Sequence, residues 1–173
     1  MLSFWSKVED GTIPTRVTHN DTKINNILFD KQGEVLCAID LDTVMNSTSL
    51  NDFGDAIRSY ANTGDEDDRD LSRVGLSLEM FRAYTEGYLS QRAKQLTDSE
   101  IDHLAFSARY ITFEQVLRFL MDYIDGDTYY KIKYPGHNLV RTHAQYRLLQ
   151  SMEEHYGEMC RIVRETVDKY RKA

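Results

Sequence analysis

Val17-Thr18-His19-Asn20-Asp21-Thr22-Lys23-Ile24-Asn25-Asn26, with Ile39-Asp40-Leu41-Asp42 shortly after it, is the stretch on which the reading of this chain turns. Around it, β-rich runs alternate with polar turns: Arg16-Val17-Thr18, then Asn26-Ile27-Leu28-Phe29, then Val35-Leu36-Cys37-Ala38-Ile39, with Asp30-Lys31-Gln32-Gly33 between the last two. Apolar β-formers on either side of an Asp- and Gly-containing turn predict a small β-hairpin. The polar residues fall at particular places on that frame. Asp21 and Asn26 stand either side of a tight turn before the hairpin, and Asp40 sits where its last apolar strand ends.

Outward from there the pattern becomes helical and stays so. Ser49 is expected to cap a helix through about Asn62, and Leu76 to Ala93 carries a helical stripe of Leu78, Phe81, Tyr84, Tyr88 and Leu89. Thr97 with Glu100 fits a capping box opening a helix whose length predicts a break around Tyr110 to Phe113 and an end at Gly126. Leu139 to Tyr170 reads as one or two further helices. The acidic patch Gly64-Asp65-Glu66-Asp67-Asp68-Arg69-Asp70 reads as a solvated loop. The expected fold class is mainly α (α+β), with a small β-element leading a helical body.

Composition narrows the function. The 173 residues suffice for one domain with a real core, and 41% hydrophobic residues with two prolines exclude disordered and collagen-like chains. A net charge of -7 argues against a broad basic surface, so no nucleic-acid partner is expected. No apolar run approaches a membrane span and the start lacks signal-peptide character, so no membrane partner and a cytoplasmic location are expected. Cys37 and Cys160 are read as buried reduced thiols. The remaining histidines, His137 and His143 included, are read as surface or hydrogen-bonded groups. No two of the nine glycines are closer than ten residues, which excludes both G-x-x-x-x-G-K-[ST] and G-x-G-x-x-G.

His19, Asp21 and Asn26 satisfy H-x-D-x-x-x-x-N, the spacing of a kinase catalytic loop. The chemistry needs an Asp at the acceptor hydroxyl, an Asn past a tight turn reaching a metal on the nucleotide phosphates, and a second carboxylate from the next strand, where Asp40 stands. Mg²⁺ takes hard oxygen ligands and keeps waters, so such a set suffices with ATP phosphates. Asp42 is either a metal or water contact or a turn-capping carboxylate. The literal Asp52-Phe53-Gly54 is a decoy for the metal motif, because it begins a helix.

The segment resembles the catalytic and metal loops of the aminoglycoside phosphotransferase and choline kinase family, relatives of protein kinases. The resemblance implies that Asp21 is the catalytic base, that Lys23 meets the γ-phosphate, and that Asn26, Asp40 and Asp42 hold Mg²⁺. It also implies that His19 and Asp52 support the loop, Asp52 as a buried helix-start carboxylate. Asn20 departs from the glycine common in the family. Further segments, among them Phe53-Gly54-Asp55-Ala56-Ile57-Arg58, Arg118-Phe119-Leu120 with Asp122-Tyr123, Gly126 to Lys131, and His137-Asn138-Leu139-Val140-Arg141 with Gln145, are similar to the N-acetylhexosamine 1-kinase branch. That branch phosphorylates the anomeric hydroxyl of a free amino sugar with ATP. Arg118, Asp122 and Tyr129 are then candidate sugar-binding residues, against a structural ion pair of Arg118 with Asp122 and a core position for Tyr129.

Only eighteen residues precede His19, so residues 1–173 are expected to be the helical C-terminal lobe alone, as a single domain, with the N-terminal nucleotide-binding lobe absent. The lobe by itself is then expected to be inactive. It is also expected to form a homo-oligomer through the apolar face left uncovered, with Phe4 and Trp5 exposed. The rival readings are a choline- or aminoglycoside-type kinase, a non-catalytic helical scaffold, and a haloacid dehalogenase-type phosphatase built on Asp40-Leu41-Asp42-Thr43-Val44. The phosphatase needs alternating strands and helices that the sequence lacks.

Overall fold

Thr48 is where the chain turns helical: its extended backbone and hydroxyl, which accepts the Leu50 N–H at 3.3 Å, cap α2 (Ser49–Tyr60). The cap is therefore Thr48 and not Ser49. Ser49 is buried, and its hydroxyl donates to Glu100. The computed structural model describes residues 2–172, with side chains from Phe4 onward.

Ahead of α2 lie α1 (Leu2–Glu9) and four short strands, β1 (Arg16–Thr18), β2 (Ile27–Phe29), β3 (Val35–Ala38) and β4 (Met45–Ser47). β2 and β3 form the expected antiparallel hairpin, with Ile27 opposite Ala38 and Leu28 opposite Cys37. β1 pairs with β4, a strand the alternation did not reveal because Met-Asn-Ser carries no β signature. This second ribbon closes the segment between Thr18 and Met45 into a loop whose two ends are adjacent, and the candidate site is built on that loop.

α3 (Leu78–Arg92) is capped by Ser77, and α4 (Asp98–Ile124) opens with the full capping box of Thr97 and Glu100. Glu100 does more than cap. Its side chain is wholly buried and takes the Arg16 guanidinium fork at 2.8 Å on each oxygen, which ties β1 to α4. Burial alone would raise its carboxyl, but Arg16, the Thr97 N–H and Ser49 outweigh that and hold it below the ordinary glutamate value.

The expected break in α4 does not occur: 27 residues run unbroken. Tyr110-Ile111-Thr112-Phe113 is poor helix sequence, but α4 packs against both α2 and α5 (His137–Glu154), and tertiary burial overrides propensity. The two later helices, α5 and α6 (Tyr156–Arg171), divide at His155. The core joins Phe53 and Ile57 of α2, Phe81 and Leu89 of α3, Leu104 and Ala108 of α4, Leu148 and Met152 of α5, and Met159 of α6. The protein is mainly helical with two small two-stranded sheets, as a helical kinase-like lobe requires.

Three expectations fail. Phe4 is 1% exposed and packs in the core beside Phe106 and Tyr110, whereas Trp5 is exposed as expected and donates its indole N–H to the Tyr110 hydroxyl at 2.9 Å. Exposed apolar side chains also line the hairpin, at Leu28, Phe29, Val35 and Leu36. Cys37 is exposed on β3 and Cys160 only half-buried, both as free thiols. β3 is exposed along its whole length, with only β2 beside it in its sheet. Among the described residues no helix is long and apolar enough to cross a membrane.

Candidate active site

The loop from His19 to Asn26 is held from three sides. Asp52, half-buried in the first turn of α2, accepts the backbone N–H groups of His19 at 3.0 Å and Asn20 at 2.7 Å. The Thr22 hydroxyl donates to the Asp52 carbonyl at 2.6 Å, and the His19 ring bonds the Ile39 carbonyl at 2.9 Å through Nε2, which must be its donor. Thr43 closes the third side, its hydroxyl donating to the His19 carbonyl at 2.6 Å. Asn20 sits at φ 61°, in the left-handed region, which explains the departure from glycine. Asn is the residue type that best tolerates this region after Gly. Its amide secures the conformation by donating to the Thr43 carbonyl at 3.1 Å.

On this frame Asp21 presents its carboxylate with one oxygen engaged. Oδ2 accepts from Lys23 Nζ at 2.7 Å and from Asn26 Nδ2 at 2.9 Å, while Oδ1 has no partner among the described residues. Asn26 is buried, and its amide also bonds the Asp21 carbonyl at 2.9 Å, so the turn between them is locked. Partial burial would lower the Lys23 ammonium, but Asp21, with Asp40 and Asp55 further off, more than offsets it and raises it above the ordinary lysine value.

Asp40 lies just beyond β3, exposed, at φ 63° and with no partner for its carboxylate among the described residues. The Ile39 N–H donates to the Asn26 carbonyl at 2.9 Å, which sets the Asp40 backbone next to Asn26. Asp42 is exposed in the short 3-10 turn Leu41–Thr43, whose N-cap residue Asp40 makes no side-chain capping bond. An amide oxygen and carboxylates are hard donors suited to Mg²⁺. Among the described residues no group of three or more His, Cys, Asp or Glu stands close enough to hold a metal alone. The donor set therefore fits an ion that brings phosphate oxygens and water as its remaining ligands.

Asp21 and Lys23 open onto a cavity of about 770 Å³. Its far wall comes from the end of α4 and the loop after it: Arg118, Phe119, Tyr129 and Tyr130. Arg118 lies over the Tyr130 ring at 5.6 Å and the Tyr129 ring at 6.0 Å, and makes no ion pair with Asp122. Tyr129 is exposed rather than packed in the core. Asp122 does not line the cavity. Four residues apart on α4, Arg118 and Asp122 look like partners in sequence, but Asp122 turns inward and spends both oxygens on the loop that follows.

A family model described as the phosphotransferase enzyme family matches residues 3–89, half of the chain, a span holding the His19–Asn26 loop, the hairpin and α2. The chain belongs to this family. Several cavity residues of the phosphotransferase lie in the resembling segments but were not singled out as site residues by the sequence. Arg58, buried on α2, pairs with Asp55 at 2.9 Å and with Glu66 at 2.7 Å and reaches Gln145 at 3.3 Å, forming part of the floor. The acidic patch of the phosphotransferase is not a free solvated loop. Asp67 bonds both Lys133 Nζ and His137 Nε2 at 2.8 Å, and Arg69 stacks on Tyr134 at 4.4 Å. Those contacts hold the Asp67 carboxyl down at about 2, through the Lys133 and His137 hydrogen bonds in that order. The signal that could have found this wall was the proximity of an acidic run to the cationic 131–141 segment, which sequence separation hides.

Proposed function

We propose that this phosphotransferase is an ATP-dependent small-molecule kinase whose helical lobe binds an N-acetylhexosamine and directs its anomeric hydroxyl to Asp21. Kinases of the family generally use ATP and Mg²⁺. The observation that carries the reading is the unshared Oδ1 of Asp21 at the mouth of a polar, aromatic-walled cavity. A carboxylate with one oxygen tied down and the other free is oriented to accept a hydroxyl proton as the oxygen attacks. Lys23, kept charged beside it, neutralises charge on the transferred group, so positioning and electrostatics supply most of the rate.

Asn26 and Asp40 would hold Mg²⁺ together with the nucleotide phosphates, and Asp42 its water shell; the ion would neutralise the phosphates. Arg118 offers a planar fork for two sugar oxygens, and Tyr129 a ring face and hydroxyl. An aromatic wall with forked donors suits a neutral polyhydroxylated acceptor.

The test is phosphorus NMR of the full gene product with Mg-ATP and N-acetylglucosamine, N-acetylgalactosamine, choline or an aminoglycoside. An anomeric sugar phosphate is expected, with Arg118→Ala and Tyr129→Phe raising the sugar KM far more than the ATP KM. Transfer to choline or an aminoglycoside in preference would overturn the acceptor; no transfer to any alcohol would overturn the kinase reading and favour a scaffold.

A further inference from the structure

The wall opposite Asp21 hangs on two residues that do not reach the cavity. After α4 the chain passes through two successive left-handed residues, Gly126 at φ 88° and Asp127 at φ 58°, closed by the Asp127 N–H donating to the Asp122 carbonyl at 2.7 Å. The Asp122 side chain then holds the residues that follow. Its Oδ1 accepts the N–H groups of Thr128 at 2.9 Å and Tyr129 at 2.8 Å, and its Oδ2 accepts the Tyr130 N–H at 2.9 Å and the Asn138 amide at 2.8 Å. Asn138, fully buried near the start of α5, also donates to Asp127 at 2.8 Å, and its oxygen accepts Arg141 Nη1 at 2.9 Å.

What these bonds carry is the cavity wall itself. Tyr130 packs on Phe119 at 4.8 Å and its hydroxyl meets Gln115, Arg118 lies over the two tyrosines, and Arg141 lies over Phe119 at 5.3 Å. All of these residues line the cavity, whereas Asp122 and Asn138 do not. Burial would by itself raise the Asp122 carboxyl, but the three backbone N–H groups and Asn138 hold it below the ordinary aspartate value, so it stays an anion and a full acceptor.

We propose that Asp122 and Asn138 are positioning residues for the acceptor: without touching it, they fix the 128–130 backbone and the Arg141 guanidinium, and so set where Tyr129, Tyr130 and Arg118 meet it. The inference rests on the acceptor reading above. The physical ground is that binding groups deliver their energy only when their own supports are rigid, and a displacement of about 1 Å can cost orders of magnitude.

Two variants test it. Asp122→Asn keeps the shape but places an N–H₂ against groups that already donate; Asn138→Ala leaves the three backbone bonds and removes the links to Asp127 and Arg141. In the full gene product, each is expected to raise the N-acetylglucosamine KM about tenfold or more while the Mg-ATP KM stays within about twofold. Amide hydrogen exchange at 128–130, read without substrate, is expected to quicken most in Asp122→Asn. Sugar and ATP constants shifting together, or neither shifting, would overturn the proposal while leaving the acceptor reading intact. If the protein phosphorylates choline and not hexosamines, the acceptor reading falls, and the same KM split measured on choline decides this one.

Discussion

Asn20 shows how much of the candidate site depends on a single backbone angle. Its φ of 61° sets the direction in which the chain leaves the two N–H groups anchored on Asp52, and so where Asp21 stands. A β-carbon at a left-handed position costs roughly 1–2 kcal/mol, so Asn20→Ala is expected to be less stable than Asn20→Gly by about 1 kcal/mol in chemical denaturation. Equal midpoints for the two would show that the angle is not what selects the residue. The placement of Asp21, Asn26 and Asp40 side by side was readable in sequence because their spacing is local and chemically demanding. Asp122 was not: its partners are backbone N–H groups on a loop whose path no side-chain pattern reports, and its spacing from Arg118 imitates an ion pair.

Among the elements, α2 and α4 are pressed together at Gly54. A β-carbon there would lie 2.5 Å from the Ser107 carbonyl oxygen and 2.8 Å from Ile111 Cγ1. Alanine is the better helix former by about 1 kcal/mol, yet overpacking of this kind costs about 1–3 kcal/mol and must shift two helices that carry Asp52 and Arg118. Gly54→Ala is therefore expected to lower the melting temperature, and a rise would contradict the close approach. The Asp52-Phe53-Gly54 triplet thus owes its glycine to helix packing and not to a metal loop. The hairpin, the Thr97 box and α3 were legible because each is written in local pattern. The continuity of α4 and the β1–β4 ribbon were not, because burial from both sides and pairing across the intervening loop decide them.

For the molecule as a whole, the acidic loop and the 131–137 segment join into one wall through Asp67. Its carboxyl is depressed to about 2, so its contribution to stability is fully present above its unfolded value near 4 and is lost as pH falls toward 2. Thermal unfolding of the wild type and Asp67→Asn should differ at neutral pH and converge between about pH 4 and 2; a gap that persists at pH 2 would contradict the latch. The central claim, that Asp21 accepts the proton of an alcohol during phosphoryl transfer, is tested most directly by turnover of Asp21→Asn in the full gene product, with nucleotide binding measured alongside. The account predicts a fall of about 10²–10⁴-fold in kcat with nucleotide affinity nearly unchanged. Turnover above about a tenth of wild type, outside the range of a general base, would contradict it.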